Sequence, residues 1–311
     1  MAVDLKGRDF LSLKDFTVEE LWQFIKTAEM MKLRQKAGEA HKPLNGKTLG
    51  MIFQKASTRT RVSFEVAAWQ LGGYALYLSA NDLQLGRGET VSDTGKVLSR
   101  YLDGIMIRTY EQSDVEELAE AASIPIINGL TDLLHPCQVL ADLQTVYEKF
   151  GRLEGLKLAF VGDGNNMAHS LMYGCAKMGM RCAIATPPEY GPDEEVTMAA
   201  REIAAQAGGD ILVTSDIAKA VHGADVVYTD VWASMGQEEQ TSARHKAFAP
   251  YQVTEAVMAK TEKEQSIFMH CLPAHRGEEM SAGVIDGRWS VVFDQAENRL
   301  HAQKAILALV M

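Results

Sequence analysis

Short apolar runs alternating with helical stretches, from one end to the other, constrain this chain more than any other feature. Lys47–Gln54 (KTLGMIFQ), Tyr74–Ser79, Gly104–Thr109 and Ile124–Leu130 read as strands. Between them Val62–Leu71, Thr90–Leu102 and Ser113–Ala122 carry apolar residues at helical spacing, and Gly72-Gly73 closes the first of these helices. The first forty residues read as one helix, capped by Asp15 or Thr17, with Leu21, Phe24, Ile25, Ala28 and Met31 on one side. A helix from about Pro136 to Phe150 leads into a second series of strands: Gly155–Gly164, Met180–Pro187, Asp210–Ser215, Asp225–Trp232 and Ser266–Pro273. A helix around Glu297–Val310 closes the chain. Continuous apolar strands followed by helices give parallel sheets covered on both faces. The expected class is therefore α/β, with two domains, each a parallel sheet with helices on both faces. At 311 residues the chain has length for both. Residues 1–135, completed by a C-terminal helix at about 296–311, form the first; 136–154 connect, as a helix; 155–295 form the second.

Charge narrows the function. The 31 Lys+Arg against 41 Asp+Glu leave a net charge of −10, without the broad basic field of a nucleic-acid binder. Any bound anion needs a local cluster of cations. The four cysteines, Cys137, Cys175, Cys182 and Cys271, form no CxxC pair and read as reduced thiols. The mixed, charged N-terminal stretch is unlike a signal peptide, and no run of about 18 apolar residues suggests a membrane span. The expected location is the cytoplasm.

Three strand ends of the first half carry polar groups. Ser57-Thr58-Arg59-Thr60-Arg61 falls between a strand and a helix, where helix N–H groups, hydroxyls and a guanidinium converge on an anion. The alternative is a capping Ser or Thr followed by surface arginines. Arg108 ends the strand GIMIR, as an anion ligand or as half of a structural ion pair. His135-Pro136-Cys137-Gln138 follows the next strand and can turn an imidazole and an amide toward the same crevice. Together these groups suit a small phosphorylated molecule whose carbonyl is to be polarised.

The second half is more ambiguous. Gly162-Asp163-Gly164-Asn165-Asn166 invites a dinucleotide reading, but Met167 stands where the third glycine belongs. The two Asn amides instead suit a carboxylate or an ammonium. Asp230 ends a strand, as a ligand or as a turn cap, and Ser234-Met235-Gly236 follows closely. In His270-Cys271-Leu272-Pro273, with His275 beyond, a cysteine beside histidines suggests a nucleophile or zinc ligands, yet no further ligand stands at metal spacing.

These segments resemble the aspartate/ornithine carbamoyltransferases. S-T-R-T-R followed by V-S-F-E, and H-P-C-Q, mark the carbamoyl-phosphate half of that family. G-D-G-N-N, D-V-W-A-S-M-G and H-C-L-P are similar to its ornithine branch, and E-N-R-L-H around Arg299 matches the family too. The one local departure is Ala56, where many relatives have Pro. The resemblance runs from about residue 5 to the C-terminus. It implies carbamoyl-phosphate contacts from Ser57, Thr58, Arg59, Thr60, Gln84, Arg108, His135, Pro136, Cys137, Gln138, Cys271, Leu272 and Arg299. It implies ornithine contacts from Asn166, Asp230, Ser234 and Met235, and catalytic roles for Arg108, His135, Asp230 and Cys271. The implied reaction gives citrulline and phosphate, with no metal, nucleotide, other cofactor or covalent intermediate. The implied assembly is a homotrimer or a multiple of trimers, with Gln84 reaching a neighbour's site. Another acceptor amine such as putrescine, and an oxidoreductase using the Gly162 turn, are the rival readings.

Overall fold

The computed structural model describes residues 3–80, 82–84, 88–233 and 241–311. The chain divides into two compact units, residues 1–144 with 298–311, and residues 145–297. The dividing points fall inside two helices, α5 (Pro136–Phe150) and α12 (Val292–Val310).

Unit 1 is built on a four-stranded parallel sheet in the order β2-β1-β3-β4, from β1 (Thr48–Phe53), β2 (Tyr74–Ser79), β3 (Gly104–Arg108) and β4 (Ile126–Leu130). Helices α1 (Val18–Lys36), α2 (Thr58–Gln70), α3 (Val91–Leu98) and α4 (Gln112–Ala121) accompany it. Ile52, Ile105, Ile107 and Ile126 of the sheet pack with Val115 and Leu118 of α4 in one core cluster. β1 lies between β2 and β3, so successive crossovers leave it in opposite directions. Such a switch point opens a crevice at the carboxyl ends of the strands.

The first forty residues are not one helix. Phe10 lies along β4, donating its N–H to the Ile126 carbonyl (2.8 Å) and accepting from Asn128 (2.9 Å), so the segment closes a sheet edge. Rings of Phe10, Phe16 and Phe24 meet at centroid distances of 5.1–5.3 Å. Helix α1 starts only after Thr17, whose hydroxyl accepts from Glu20 N–H while the Glu20 carboxylate accepts from Thr17 N–H. Such a cap is worth about 1 kcal/mol. α2 begins four residues earlier than its apolar pattern suggests, because Ser57 caps it through the Thr60 N–H (3.2 Å).

Unit 2 carries a five-stranded parallel sheet in the order β7-β6-β5-β8-β9. Its strands are β5 (Lys157–Val161), β6 (Arg181–Ala185), β7 (Asp210–Thr214), β8 (Val226–Thr229) and β9 (Ile267–His270). They alternate with α6 (Asn166–Lys177), α7 (Glu194–Ala207), α8 (Ile217–Val221), α9 (Thr241–Phe248), α10 (Glu255–Ala259) and α11 (Ala282–Ile285). Val161, Val227, Trp232, Phe248 and Phe268 belong to one buried cluster. The switch point here separates β5 from β8. α12 starts at the buried Val292, five residues before its expected start. No described helix is long and apolar enough to cross a membrane.

Candidate active site

In unit 1 the residues singled out by sequence gather at the switch point. Ser57 caps α2, and Thr58 and Arg59 form the exposed start of its first turn, which contains no acidic residue. The unpaired N–H groups and positive dipole end of that turn favour an anion. Thr60, in the same turn, is buried. Arg108 ends β3, buried, with its carbonyl accepting from Gln54 N–H (2.9 Å). Arg299 enters from α12: one guanidinium nitrogen donates to Gln138 Oε1 (2.6 Å) and another to Thr60 Oγ1 (3.2 Å). The Gln138 amide in turn donates to Asp142 (2.8 Å).

His135 sits among these cations, 6% exposed at the start of α5. Burial, reinforced by Arg299, Arg108 and Arg59, holds its imidazole well below the usual value. It is therefore neutral at pH 7 and able to donate one hydrogen bond without protonating. Pro136 opens α5, where a missing N–H costs nothing. The Cys137 thiol faces away from such chemistry: it donates to the Asn128 carbonyl (3.2 Å), and burial pushes it up to about 12. Gln84 is exposed, beyond the end of β2.

Unit 2 presents its groups at its own switch point. The Cys271 thiol, just past β9, donates to Asp230 Oδ1 (3.0 Å), which also accepts from Val231 N–H (2.8 Å). Asn165 caps α6 by accepting from Met167 N–H (3.0 Å), and its buried Nδ2 has no hydrogen-bond partner. Asn166, half-buried, is the first residue of α6. Ser234 and Met235 lie outside the described residues.

The dinucleotide alternative meets a steric objection. A Cβ on Gly164 would stand 2.2 Å from Pro192 N and 2.4 Å from Gly191 C. The turn after β5 is thus covered by the chain's own backbone, and this glycine serves internal packing. The zinc alternative meets a chemical one. Asp230, His270 and Cys271 lie close enough to share an ion. Yet His270 is fully buried, with Nδ1 accepting from Leu272 N–H (2.8 Å) and Nε2 3.2 Å from Glu279 Oε1, so both ring nitrogens are engaged. Burial alone would raise the Glu279 carboxyl, but hydrogen bonds from His270 and the His275 N–H outweigh it and hold it below its usual value. His270 thereby fixes the backbone at Leu272, a non-glycine residue at φ +59°.

Two groups escaped the sequence reading. Buried Lys55 pairs with Asp132 and lies 4.1 Å above the Tyr110 ring. Lys55, Tyr110 and Asp132 each stand within three residues of Ser57, Arg108 and His135, so one cation ties the three strand-end loops together. A lysine two residues before S-T-R-T-R was the only available signal. In unit 2 buried Arg244 pairs with Asp163 and donates through Nε to the Trp232 carbonyl (2.5 Å). It braces the turn after β5 against the one after β8. Nothing in the charged stretch around Arg244 distinguishes it in sequence.

Residues 8–148 match the family described as aspartate/ornithine carbamoyltransferase, carbamoyl-P binding domain, and residues 154–310 match its Asp/Orn binding domain. An ornithine carbamoyltransferase from Oceanobacillus iheyensis is 62% identical over 99% of this chain and 95% of its own length. One from Pyrococcus furiosus, designated anabolic, is 58% identical over 100% of this chain and 98% of its own. A solved P. furiosus ornithine carbamoyltransferase superposes with a TM-score of 0.96 at 58% identity, covering 100% of this chain and 99% of the other. With both halves matched and relatives this similar over the full length, the chain belongs to the aspartate/ornithine carbamoyltransferase family.

Proposed function

We propose that this chain transfers the carbamoyl group of carbamoyl phosphate to the δ-amine of L-ornithine, giving L-citrulline and phosphate. The observation that carries the reading is the neutral His135 surrounded by Arg59, Arg108 and Arg299 at the switch point of unit 1. Three guanidiniums suit a phosphate dianion, and a neutral imidazole suits a carbonyl oxygen. Unit 1 is the carbamoyl-phosphate-binding domain and unit 2 the ornithine-binding domain, in keeping with the two family matches.

Arg59, Ser57, Thr58 and the α2 N-terminus hold the phosphate. Arg108, His135 and the Thr60 hydroxyl donate to the carbamoyl oxygen; Thr60 Oγ1 accepts from Arg299, which leaves its proton free to point at substrate. Gln138 and Arg299, locked to each other, fix this wall; the Pro136–Cys137 backbone and Leu272 complete the contacts. In unit 2 Asp230 and the Cys271 thiol orient the amine, Asn166 takes the amino-acid end, and Ser234 and Met235 complete that site. The neutral amine attacks the carbamoyl carbon, the C–N bond forms, and the carbonyl oxygen gains charge. The C–O bond to phosphate then breaks, phosphate takes the electron pair, and the nitrogen passes its extra proton to the departing phosphate. Guanidiniums already in place stabilise charge at both oxygens without reorganising.

The active unit is a homotrimer or a multiple of trimers, in which Gln84 serves a neighbour's site. In support, β2 is an edge strand none of whose residues is buried, and Gln84 lies just beyond it, exposed. An open edge of this kind asks for cover. The role is biosynthetic, as in the relative designated anabolic. The location is the cytoplasm, in keeping with four free thiols. The test compares citrulline-type product formation from carbamoyl phosphate with ornithine, putrescine, acetylornithine and aspartate side by side. Ornithine should exceed each other amine by at least about a hundredfold in kcat/KM; preference for any other amine overturns the assignment.

A further inference from the structure

A second cationic concavity in unit 1 takes no part in this reaction. It lies between the C-terminal ends of α1 and α2, the 38–45 segment and Lys304 of α12, and encloses about 500 Å³, within the range of small-molecule sites. Twelve residues of helix, about 18 Å at 1.5 Å per residue, separate Gln70 on its wall from Thr58 in the candidate active site.

Its side-chain cations form no ion pair among the described residues. The ammonium of Lys304, 6% exposed, is held by two neutral acceptors, Gln35 Oε1 (3.1 Å) and Gln70 Oε1 (3.0 Å). Among the described residues no carboxylate pairs with it, and burial lowers it from its usual value. Arg34, His41 and Lys42 line the same space, likewise without an ion pair among the described residues. The Lys42 stem is fixed against the chain: a Cβ on Gly72, which has φ +86°, would stand 2.9 Å from Lys42 Cβ. Three cations, Arg34, Lys42 and Lys304, face one carboxylate, Glu39, and the negative ends of the α1 and α2 dipoles, about half a charge each, which leaves about one positive charge in a chain that carries −10 overall. Gathering cations around a buried ammonium is unfavourable unless an anion completes the set.

We propose that this concavity binds a phosphoryl group, either as free phosphate or on a small ester such as a nucleotide. A phosphoryl anion meets that remaining charge, and Arg34 offers the planar fork that grips two of its oxygens. Trp69, 74% exposed and on the same wall, presents an aromatic face to a planar ring attached to the phosphate.

The test is calorimetric titration of the whole enzyme with inorganic phosphate and, separately, with ADP. Arg59→Ala removes phosphate affinity at the catalytic centre and should leave binding at this site intact. The double variant Arg34→Gln/Lys42→Gln, at one half-buried and one exposed position, should weaken it by at least about tenfold while citrulline formation stays unchanged. Lys304→Met should have the same effect on binding. Tighter binding of ADP than of phosphate, with the difference lost in Trp69→Ala, identifies an ester; equal binding identifies free phosphate. Absence of binding in Arg59→Ala, or unaltered binding in the double variant, overturns the proposal.

Discussion

Replacing Arg244 by methionine tests the brace between the two site-bearing turns of unit 2. Arg244 pairs with Asp163, donates to the Trp232 carbonyl, and lies 4.8 Å from the Tyr190 ring centroid and 5.4 Å from that of Phe248. Burial pushes the Asp163 carboxyl from 3.8 up to about 6, with Arg244 opposing the rise and Asp230 adding to it. A carboxyl raised on folding contributes stability that is full below its unfolded value and is lost as pH climbs through the folded value of about 6. Arg244 limits that loss. Without it the carboxyl titrates higher. Each pH unit by which it rises adds about 1.4 kcal/mol of destabilisation at alkaline pH. The hydrogen bond and ring contacts add about 1–2 kcal/mol at any pH. Arg244→Met should therefore cost about 3–5 kcal/mol at pH 8, the range for breaking a buried pair, and only about 1–2 at pH 5. Urea unfolding of parent and variant at both pH values, followed by tryptophan fluorescence, measures this directly. Adding Asp163→Asn to the variant should recover most of the pH 8 loss. Equal losses at pH 5 and 8, or no recovery with Asp163→Asn, would refute the electrostatic reasoning.

Arg59→Lys should fold normally and lose at least about a hundredfold in turnover, because an ammonium cannot reproduce the two-point grip on phosphate; near-normal turnover sinks the assignment. Lys55→Met should raise KM for carbamoyl phosphate about tenfold and leave KM for ornithine unchanged, with Lys55→Arg recovering most of the effect; steady-state kinetics on both substrates would expose a purely structural role as a loss of folded protein with unchanged KM. Cys271→Ser should keep measurable activity with weakened ornithine use, and intact-mass spectrometry during turnover should find no carbamoyl adduct on the parent enzyme; a trapped thioester would require a two-step reaction. Arg59→Ala and Gln84→Ala, each severely impaired alone, should regain activity when unfolded together and refolded, because some interfaces of a hybrid ring then join intact Arg59 to intact Gln84. Hybrids no more active than their parents would put Gln84 outside the neighbour's site.

The alternation of strand and helix, the strand positions to within a few residues, and the placement of Ser57, Arg108, His135, Asp230 and Cys271 at strand ends were all legible in the sequence. Periodicity, caps and turn glycines act over a few residues, so the local sequence carries them. What it left open was decided over longer spans. The N-terminal stretch reads as helix, yet Phe10 pairs along β4 because a sheet edge over a hundred residues away needs a partner. Arg299 meets Gln138 and Thr60 across sequence separations of 161 and 239 residues. Lys55 finds Asp132 across 77, and Arg244 finds Asp163 across 81. In the sequence His135 is an imidazole that can turn toward the crevice, and His270 a candidate zinc ligand beside a cysteine. Neighbours chosen by the sheet order make the first a neutral donor among arginines and give the second two hydrogen-bonding partners. A side chain's chemistry depends on which charges and dipoles surround it once water is excluded, and only the folded chain brings those groups within reach.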